Sequence, residues 1–292
     1  MPRSIGVIAT RYIWVGMVEG STLGDVRMYP DPGDSVDLKS IPADDFVGHI
    51  RRLVAEVRKG EPVESVGAGF PGVVRGGVIQ ESPNLGQLKG LHIETDLRAE
   101  LKADGLDVPV VILNDADALA AGIAATHSKL ESLIRVWYLG DGIGFGRYPL
   151  NGSVGEAGHI VVSLDPKERY CGCGGLGHLE GIMGHRAMRL RFLDMEPEEI
   201  FVAARHGDQR AVDFVKLWHR ALAAGTATSI HMEGPGRFYI AGPNSDFVDL
   251  NLLGSQIHDM VKMSPLQGSF FELVPTSHDL AIIGAAVSGR IK

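Results

Sequence analysis

Glu156-Ala157-Gly158-His159, eleven further residues, then Cys171-Gly172-Cys173-Gly174-Gly175-Leu176-Gly177-His178-Leu179-Glu180: this stretch carries the most constrained chemistry of the chain. Both cysteines of the protein lie in it, with His159 before them and His178 after them. Thiol and imidazole ligands gathered over so short a span suit a structural zinc ion, which is tetrahedral and takes Cys and His. Gly172, Gly174, Gly175 and Gly177 would let the backbone curl around the ion. C-x-C is not a standard finger pair, so a plain metal-free loop is the competing reading. His185 competes with His178 for the fourth ligand position, although it falls where a helix is expected. Glu156 and Glu180 bracket the cluster, and a metal knuckle that fixes carboxylate acceptors suits a polyhydroxy ligand.

Outward from this stretch, the chain is 292 residues long, 45% hydrophobic and 22% charged, an ordinary globular composition with room for two cores or one large one. The formal net charge is −8 and no basic tract is visible, which argues against sequence-independent nucleic-acid binding. Two cysteines, both assigned to a metal, point to a reducing compartment. The apolar run Ile5 to Val18 is interrupted by Arg11 and is too short to span a bilayer, and no secretory cleavage site follows it. The expectation is a cytoplasmic protein without membrane contact.

Ser4–Ala9, Tyr12–Glu19 and Asp25–Tyr29 read as a strand meander punctuated by turns. Pro42 to Lys59 is a helix with Phe46, Ile50, Leu53, Val54 and Val57 on one face. Val63–Phe70 is a strand, and Val73–Ile79 a ribbon bent at Gly76-Gly77. Helices over Leu91–Leu101 and Ala116–Thr126 flank a buried strand, Val108–Leu113. Ser132–Leu139 and Gly142–Tyr148 form a second strand pair. Beyond the cysteine loop the chain reads as helices over Leu179–Phe192, Glu198–Arg205, Gln209–Met232, Phe247–Met263 and Leu280–Ile291, with strands at Phe238–Ala241 and Phe270–Val274. The alternation predicts α/β layers. The expected division is an N-terminal unit over 1–113, with the terminal helix 278–292 packing back on it, and a second unit over 114–277.

Asn114-Asp115-Ala116-Asp117 sits where a strand gives way to a helix, the place where ligands bind in open α/β sheets. One residue suffices to cap a helix, yet this turn supplies an amide and two carboxylates. Asp115 is therefore the candidate catalytic or ligand group, and Asp117 is assigned to helix-start electrostatics. Gly140-Asp141-Gly142 opens a glycine-rich turn that suits a phosphate or simply a tight hairpin, and the charge of Asp141 counts against an anion there. Gly242-Pro243-Asn244 is another strand-end turn, where capping by Ser245 or Asp246 is an equal explanation. Asn84, in Ser82-Pro83-Asn84-Leu85, either points at a ligand or makes an Asx turn.

Together the Gly67–Gly72 turn, Ser82-Pro83-Asn84-Leu85, Asn114–Asp117, Gly140–Gly146, Glu156–His159 and the cysteine loop ending in Leu179-Glu180 resemble the ROK family of repressors, open reading frames and sugar kinases. The resemblance implies an α/β, two-lobed actin-like (ribonuclease-H-like) ATPase fold of the sugar kinase type with a zinc-binding loop. It implies phosphorylation of a small-molecule sugar by ATP with Mg2+, and a homodimer. By position, Asp115 is the base for the sugar hydroxyl. Asn84, Asn114, Asp115, Glu156, His159 and Glu180 are the sugar contacts, and His159, Cys171, Cys173 and His178 are the Zn2+ ligands. His178 stands where the family has a third cysteine. Family repressors carry a helix-turn-helix ahead of this region, which makes a repressor the less expected member.

The departures fall on the phosphate side. The family's first turn carries an Asp and Gly-Gly-Thr; here Val7 takes the acidic position and Ala9 and Thr10 take the glycines. Asp141 replaces a threonine, and Ala241-Gly242-Pro243-Asn244 replaces consecutive glycines. Thr10, Arg11, Gly140, Asp141, Gly142, Gly242 and Asn244 are the nucleotide-binding candidates of a kinase with a remodelled donor site, in which Arg11 brings positive charge and Asp141 takes the magnesium. The alternative is a sugar or cyclitol binder that does not phosphorylate, or that acts on the sugar through Asp115 by another reaction.

Overall fold

The computed structural model describes residues 1–130, 132–150, 155–275 and 278–290. By internal contacts the chain divides into two compact units: Met1–Ile134 with Gly146–Gly155 and Ser277–Lys292, and Arg135–Phe145 with Glu156–Thr276.

The first unit is built on a five-stranded sheet. β1 (Arg3–Ala9), β2 (Ile13–Glu19) and β3 (Thr22–Tyr29) form an antiparallel meander. After α1 (Ala43–Arg58), β4 (Val66–Phe70) joins β1 in parallel. β5 (Val73–Arg75) and β6 (Val78–Glu81) make the expected ribbon, and α2 (Ile93–Ala103) leads into β7 (Val110–Asn114), parallel to β4. The sheet order is β3-β2-β1-β4-β7.

Alternation along β1 sends Ile5, Val7 and Ala9 into a core shared with Phe46, Ile50, Leu53, Val54 and Val57 of α1. The buried face of α1 carries most of its stability. Each buried Leu, Ile, Val or Phe contributes about 1.5–3 kcal/mol, against the few tenths expected from Asp44, Asp45 and Arg58 at the helix ends.

The opposite face is covered by α3 (Asp115–Thr126) and α9 (His278–Ser288). These helices are poor in side chains where they meet. A Cβ on Gly122 would stand 1.7 Å from the Leu280 carbonyl oxygen, and one on Gly284 would stand 1.8 Å from that of Ala118. On the sheet, a Cβ on Gly6 or Gly67 would likewise collide with the backbone of Ile282 or Ala285. Arg290, just past α9, donates to Ser4 Oγ and to the carbonyls of Val18 and Gly20.

This packing displaces the boundary expected at 113/114. Helix α3 belongs to the first unit, because its partners are α9 and the sheet. The last two positions of the expected 278–292 helix lie outside the described residues.

The second unit holds a four-stranded sheet ordered β11-β10-β8-β9, from β8 (Ile134–Leu139), β9 (Ile143–Tyr148), β10 (Arg237–Ala241) and β11 (Phe270–Leu273). Its core collects Trp137, Trp218, Phe201, Phe214 and Phe238 among α4 (Glu180–Met183), α5 (His185–Arg191), α6 (Pro197–Arg205), α7 (Gln209–Glu233) and α8 (Leu250–Met260).

Two expectations need correction. The single helix over Leu179–Phe192 is broken into α4 and α5 at Gly184, whose backbone is extended (ψ 150°). A Cβ there would meet the Asp141 carbonyl oxygen at 2.8 Å and that of Glu180 at 3.1 Å, so the break lets the 140–142 turn pack close. Neither Ser245 nor Asp246 caps the helix after β10. Asn244 leads instead into a short 3-10 turn, Ser245–Phe247, and Asp249 caps α8 by accepting from the amides of Asn251 and Leu252.

Candidate functional site

In the first unit the candidates gather at the carboxyl end of β7. Asn114 caps α3: its Oδ1 accepts from the amides of Ala116 (2.8 Å) and Asp117 (3.3 Å), while Nδ2 donates to the Gly72 carbonyl (2.9 Å). Its acceptor is committed to the helix start, which leaves one amide hydrogen for a ligand. Asp115 is thereby relieved of capping. Burial pushes its carboxyl up to about 6, opposed by hydrogen bonds from the amide of Ala116 and from its own amide. Asp117 does more than favour the helix start, since its Oδ1 accepts from the amide of Arg147 (2.8 Å).

Asn84 is exposed, and the turn that carries it is closed by Ser82, whose Oγ accepts from the Leu85 amide (3.3 Å). The first turn is a hairpin in which the Thr10 amide donates to the Tyr12 carbonyl (3.0 Å), with the Arg11 guanidinium exposed and 5.8 Å from the Tyr12 ring centre. Val7 and Ile8 are 0% and 2% exposed, so β1 presents no carboxylate on either face there.

In the second unit His159, Cys171, Cys173 and His178 converge, their ligand atoms all within 4.8 Å of one another. Zn–S bonds of ~2.3 Å and Zn–N bonds of ~2.0–2.1 Å set tetrahedral edges of about 3.3–3.6 Å for N···N and S···N and about 3.8 Å for S···S. The observed His159 Nδ1–His178 Nδ1 edge is 3.3 Å, and three of the four S···N edges are 3.3, 3.4 and 3.5 Å, the fourth lying within 4.8 Å. Cys171 Sγ–Cys173 Sγ, at 3.4 Å, needs only a few tenths of an ångström of opening. The residues therefore fit a zinc ion, both imidazoles using Nδ1. Burial and the neighbouring His159 hold His178 below its ordinary value, in the neutral form a metal needs. Without a metal, burial foremost pushes the Cys171 thiol up to about 12.

His178 rather than His185 completes the set. Gly175 makes room for it, since a Cβ there would lie 2.0 Å from His178 Cε1. Arg191 of α5 ties the loop down by pairing with Glu168 and donating to the Gly181 carbonyl (2.9 Å).

Glu180 is held between β9 and the same loop. Its Oε2 accepts from the Ile143 amide (3.1 Å), and Cys171 Sγ lies 3.6 Å from Oε1. Glu156 is exposed, immediately before the short turn Ala157–His159.

The remaining candidates form two touching turns. The Gly140 amide donates to Gly142 O (3.0 Å), and the Asn244 amide donates to Leu139 O (3.0 Å). Gly242 has φ +97°, and a Cβ on it would meet Leu139 O at 2.4 Å. Asp141 is 95% exposed and lies 3.4 Å from His185 Nδ1. His185 thus belongs with these turns. The expected single helix over Leu179–Phe192 gave no sign of where the break at Gly184 would send the ring.

A sequence model of the ROK family matches residues 36–288. The chain is 29% identical over 249 residues to the glucokinase of Pyrobaculum calidifontis, covering 80% of this chain and 81% of that protein. Its fold is similar to the ROK hexokinase of Thermus thermophilus (TM-score 0.80, 22% identity, 98% of this chain and 97% of that one covered). It is also similar to a ROK family glucokinase from Streptomyces griseus in complex with glucose and AMPPNP (TM-score 0.67, 23% identity, 99% and 100% covered).

Proposed function

The chain belongs to the ROK family, and on that premise we propose that it is a sugar kinase, moving the terminal phosphoryl group of ATP to a hydroxyl of a hexose or related sugar. The observation that carries this reading is Asp115: a carboxyl at a strand end, freed from capping by Asn114 and raised to about 6.

A sugar hydroxyl is a weak nucleophile at neutral pH. A carboxylate whose pKa lies near the working pH accepts the hydroxyl proton as the O–P bond forms. Phosphoryl transfer otherwise depends on in-line positioning and charge neutralisation. In this reading Asn84, the spare hydrogen of Asn114, Glu156, His159 and Glu180 bind the remaining hydroxyls. Glu180 is oriented for this by the Ile143 amide.

Zinc, held by His159, Cys171, Cys173 and His178, supplies rigidity, since four protein ligands leave no open position. The exposed Asp141 carboxylate would hold Mg2+, which would supply charge neutralisation for the transfer. Thr10, Arg11 and the turns at Gly140–Gly142 and Gly242–Asn244 contact the donor. A homodimer and a cytoplasmic location belong to the same proposal. Among the described residues no helix is long and apolar enough to cross a membrane.

Transfer from γ-labelled ATP with magnesium, across hexoses, N-acetylhexosamines and cyclitols, tests the reading with Asp115→Asn as control. Label on one sugar, lost in the variant, is the expected result. A protein that some sugar stabilises but that labels none of them is a sugar binder, and the kinase reading is then wrong.

A further inference from the structure

His219 lies within α7, is 1% exposed, and has no part in the mechanism above. Its Nδ1 stands 2.8 Å from the Val215 carbonyl oxygen, one turn back along the helix, and the Asp249 amide donates to Nε2 at 2.9 Å. A backbone amide only donates, so Nε2 carries no hydrogen; a carbonyl only accepts, so Nδ1 carries the hydrogen of the ring. Geometry alone therefore fixes a neutral imidazole in one tautomer with both nitrogens committed. Burial, foremost, holds the ring below its ordinary value, against the opposing influence of the Val215 carbonyl and the Asp249 charge.

The bond at Nε2 closes a run of chain that starts at the turn after β10. The Asn244 amide donates to Leu139 O, that of Ser245 to Gly242 O, that of Phe247 to Asn244 O and that of Val248 to Ser245 O. Phe247 stacks on Phe201 of α6, with ring centres 4.1 Å apart. The Asp249 carboxylate accepts from Asn251 and Leu252 at the start of α8, and its amide goes to His219. The segment is thus held at one end by the backbone of β8 and at the other by a single side chain. The charge that acts on the ring is that of Asp249. Lys216 and Arg220, beside it on α7, are exposed, as are Glu198, Glu199 and Arg205 of α6. Glu180 of α4 accepts from Ile143, and α8 turns Leu253 and Ile257 into this core.

We infer that His219 is a positioning residue for the phosphate donor: the lone pair on its Nε2 holds the segment 242–249, and through it the Gly242–Asn244 turn, in the arrangement that receives the donor. This rests on the kinase reading, which assigns that turn to the donor. Without the acceptor, the Asp249 amide faces a gap and the chain shifts to find another partner. The short 3-10 turn, bonded only within itself, moves with it, and donor binding must then order what His219 had already ordered. A proton takes the same lone pair. Protonated Nε2 turns a second N–H toward the Asp249 amide, so the grip is full above about pH 6.5 and weakens as pH falls below it.

Calorimetric titration of magnesium AMPPNP into wild type, His219→Gln and His219→Asn, below their melting temperatures, tests this. The Gln oxygen reaches the place of Nε2 and accepts from Asp249. The Asn amide keeps the donation to Val215 and leaves Asp249 without an acceptor. Donor affinity should be about tenfold weaker in His219→Asn, recovered largely in His219→Gln, with the sugar-induced rise in melting temperature retained in both. Wild type should also lose donor affinity relative to His219→Gln as pH falls below about 6.5. If His219→Asn does not fold, that pH comparison decides. A ring that only stabilises the fold would lower the melting temperature of both variants and leave donor affinity equal to wild type, which overturns the inference. A wild-type protein that responds to sugar and binds no magnesium AMPPNP overturns the kinase reading itself, before His219 is at issue.

Discussion

Asp115 ionises at some cost to the fold. Its carboxyl titrates near 3.8 when the chain is unfolded and at about 6 when folded. Between those values the folded chain holds the extra proton, so this residue's contribution to stability falls as pH rises from about 4 to about 6. At neutral pH the ionised group costs on the order of 2–3 kcal/mol. Asp115→Asn, which removes that charge, should melt higher than wild type at pH 7 and lose phosphoryl transfer by about 10²- to 10⁴-fold. A variant that melts lower contradicts the buried-base reading. In wild type, kcat/KM should fall about tenfold per pH unit below about pH 6, as the base takes up its proton.

The turn at Asn114–Asp117 was legible as a strand end giving way to a helix, but which of its three polar residues caps the helix was not. All three are competent caps, and Asn114 takes the role because it can also donate to Gly72. His178 and His185 were equally ambiguous, since the path of a glycine-rich loop depends on long-range packing.

Among the elements, the cysteine loop should behave as a metal-dependent unit. Elemental analysis should find about one zinc per chain. Because the ligands bind deprotonated, zinc should be released as pH falls and the thiols protonate. Chelation, or Cys173→Ser, should lower the melting temperature and weaken sugar binding together, since Cys171 and Glu180 are neighbours. Metal-free protein of full stability and full sugar affinity would refute this.

Helices α3 and α9 give a sharper test. Gly284→Ala drives a methyl group to 1.8 Å from the Ala118 carbonyl oxygen. The expected loss is about 3 kcal/mol or more in urea unfolding, whereas a change below about 1 kcal/mol would show that the two backbones do not touch. Periodic segments such as α1 and β1 were readable from sequence because burial repeats along them. The break at Gly184 was not, since its cause is the Asp141 carbonyl more than forty residues away.

For the whole molecule, ligand linkage is the most direct readout. A sugar at 100 times its Kd should stabilise the folded chain by about 2.7 kcal/mol, seen as a higher melting temperature in the absence of any donor. If no sugar in the panel does this, the assignment of Glu156, His159 and Glu180 to hydroxyls is wrong. Alternating elements announced the α/β class, and the joint motifs announced the family. The grouping of residues into units was hidden, because no local pattern tells α3 that its partner lies more than 150 positions later.

That partnership also sets an order of events during synthesis. Glycines 6, 67 and 122 wait for a helix that is made more than 150 residues after the last of them. Until then the nascent first unit has one dressed face and one that α3 covers only in part, and the uncovered part offers main-chain atoms with few side chains over them. A translating ribosome therefore exposes an adhesive intermediate while those intervening residues are made, and chaperones that shield such surfaces should find this chain a client. Release is abrupt, because one short helix completes the layer and Arg290 fastens it to the carbonyls of Val18 and Gly20.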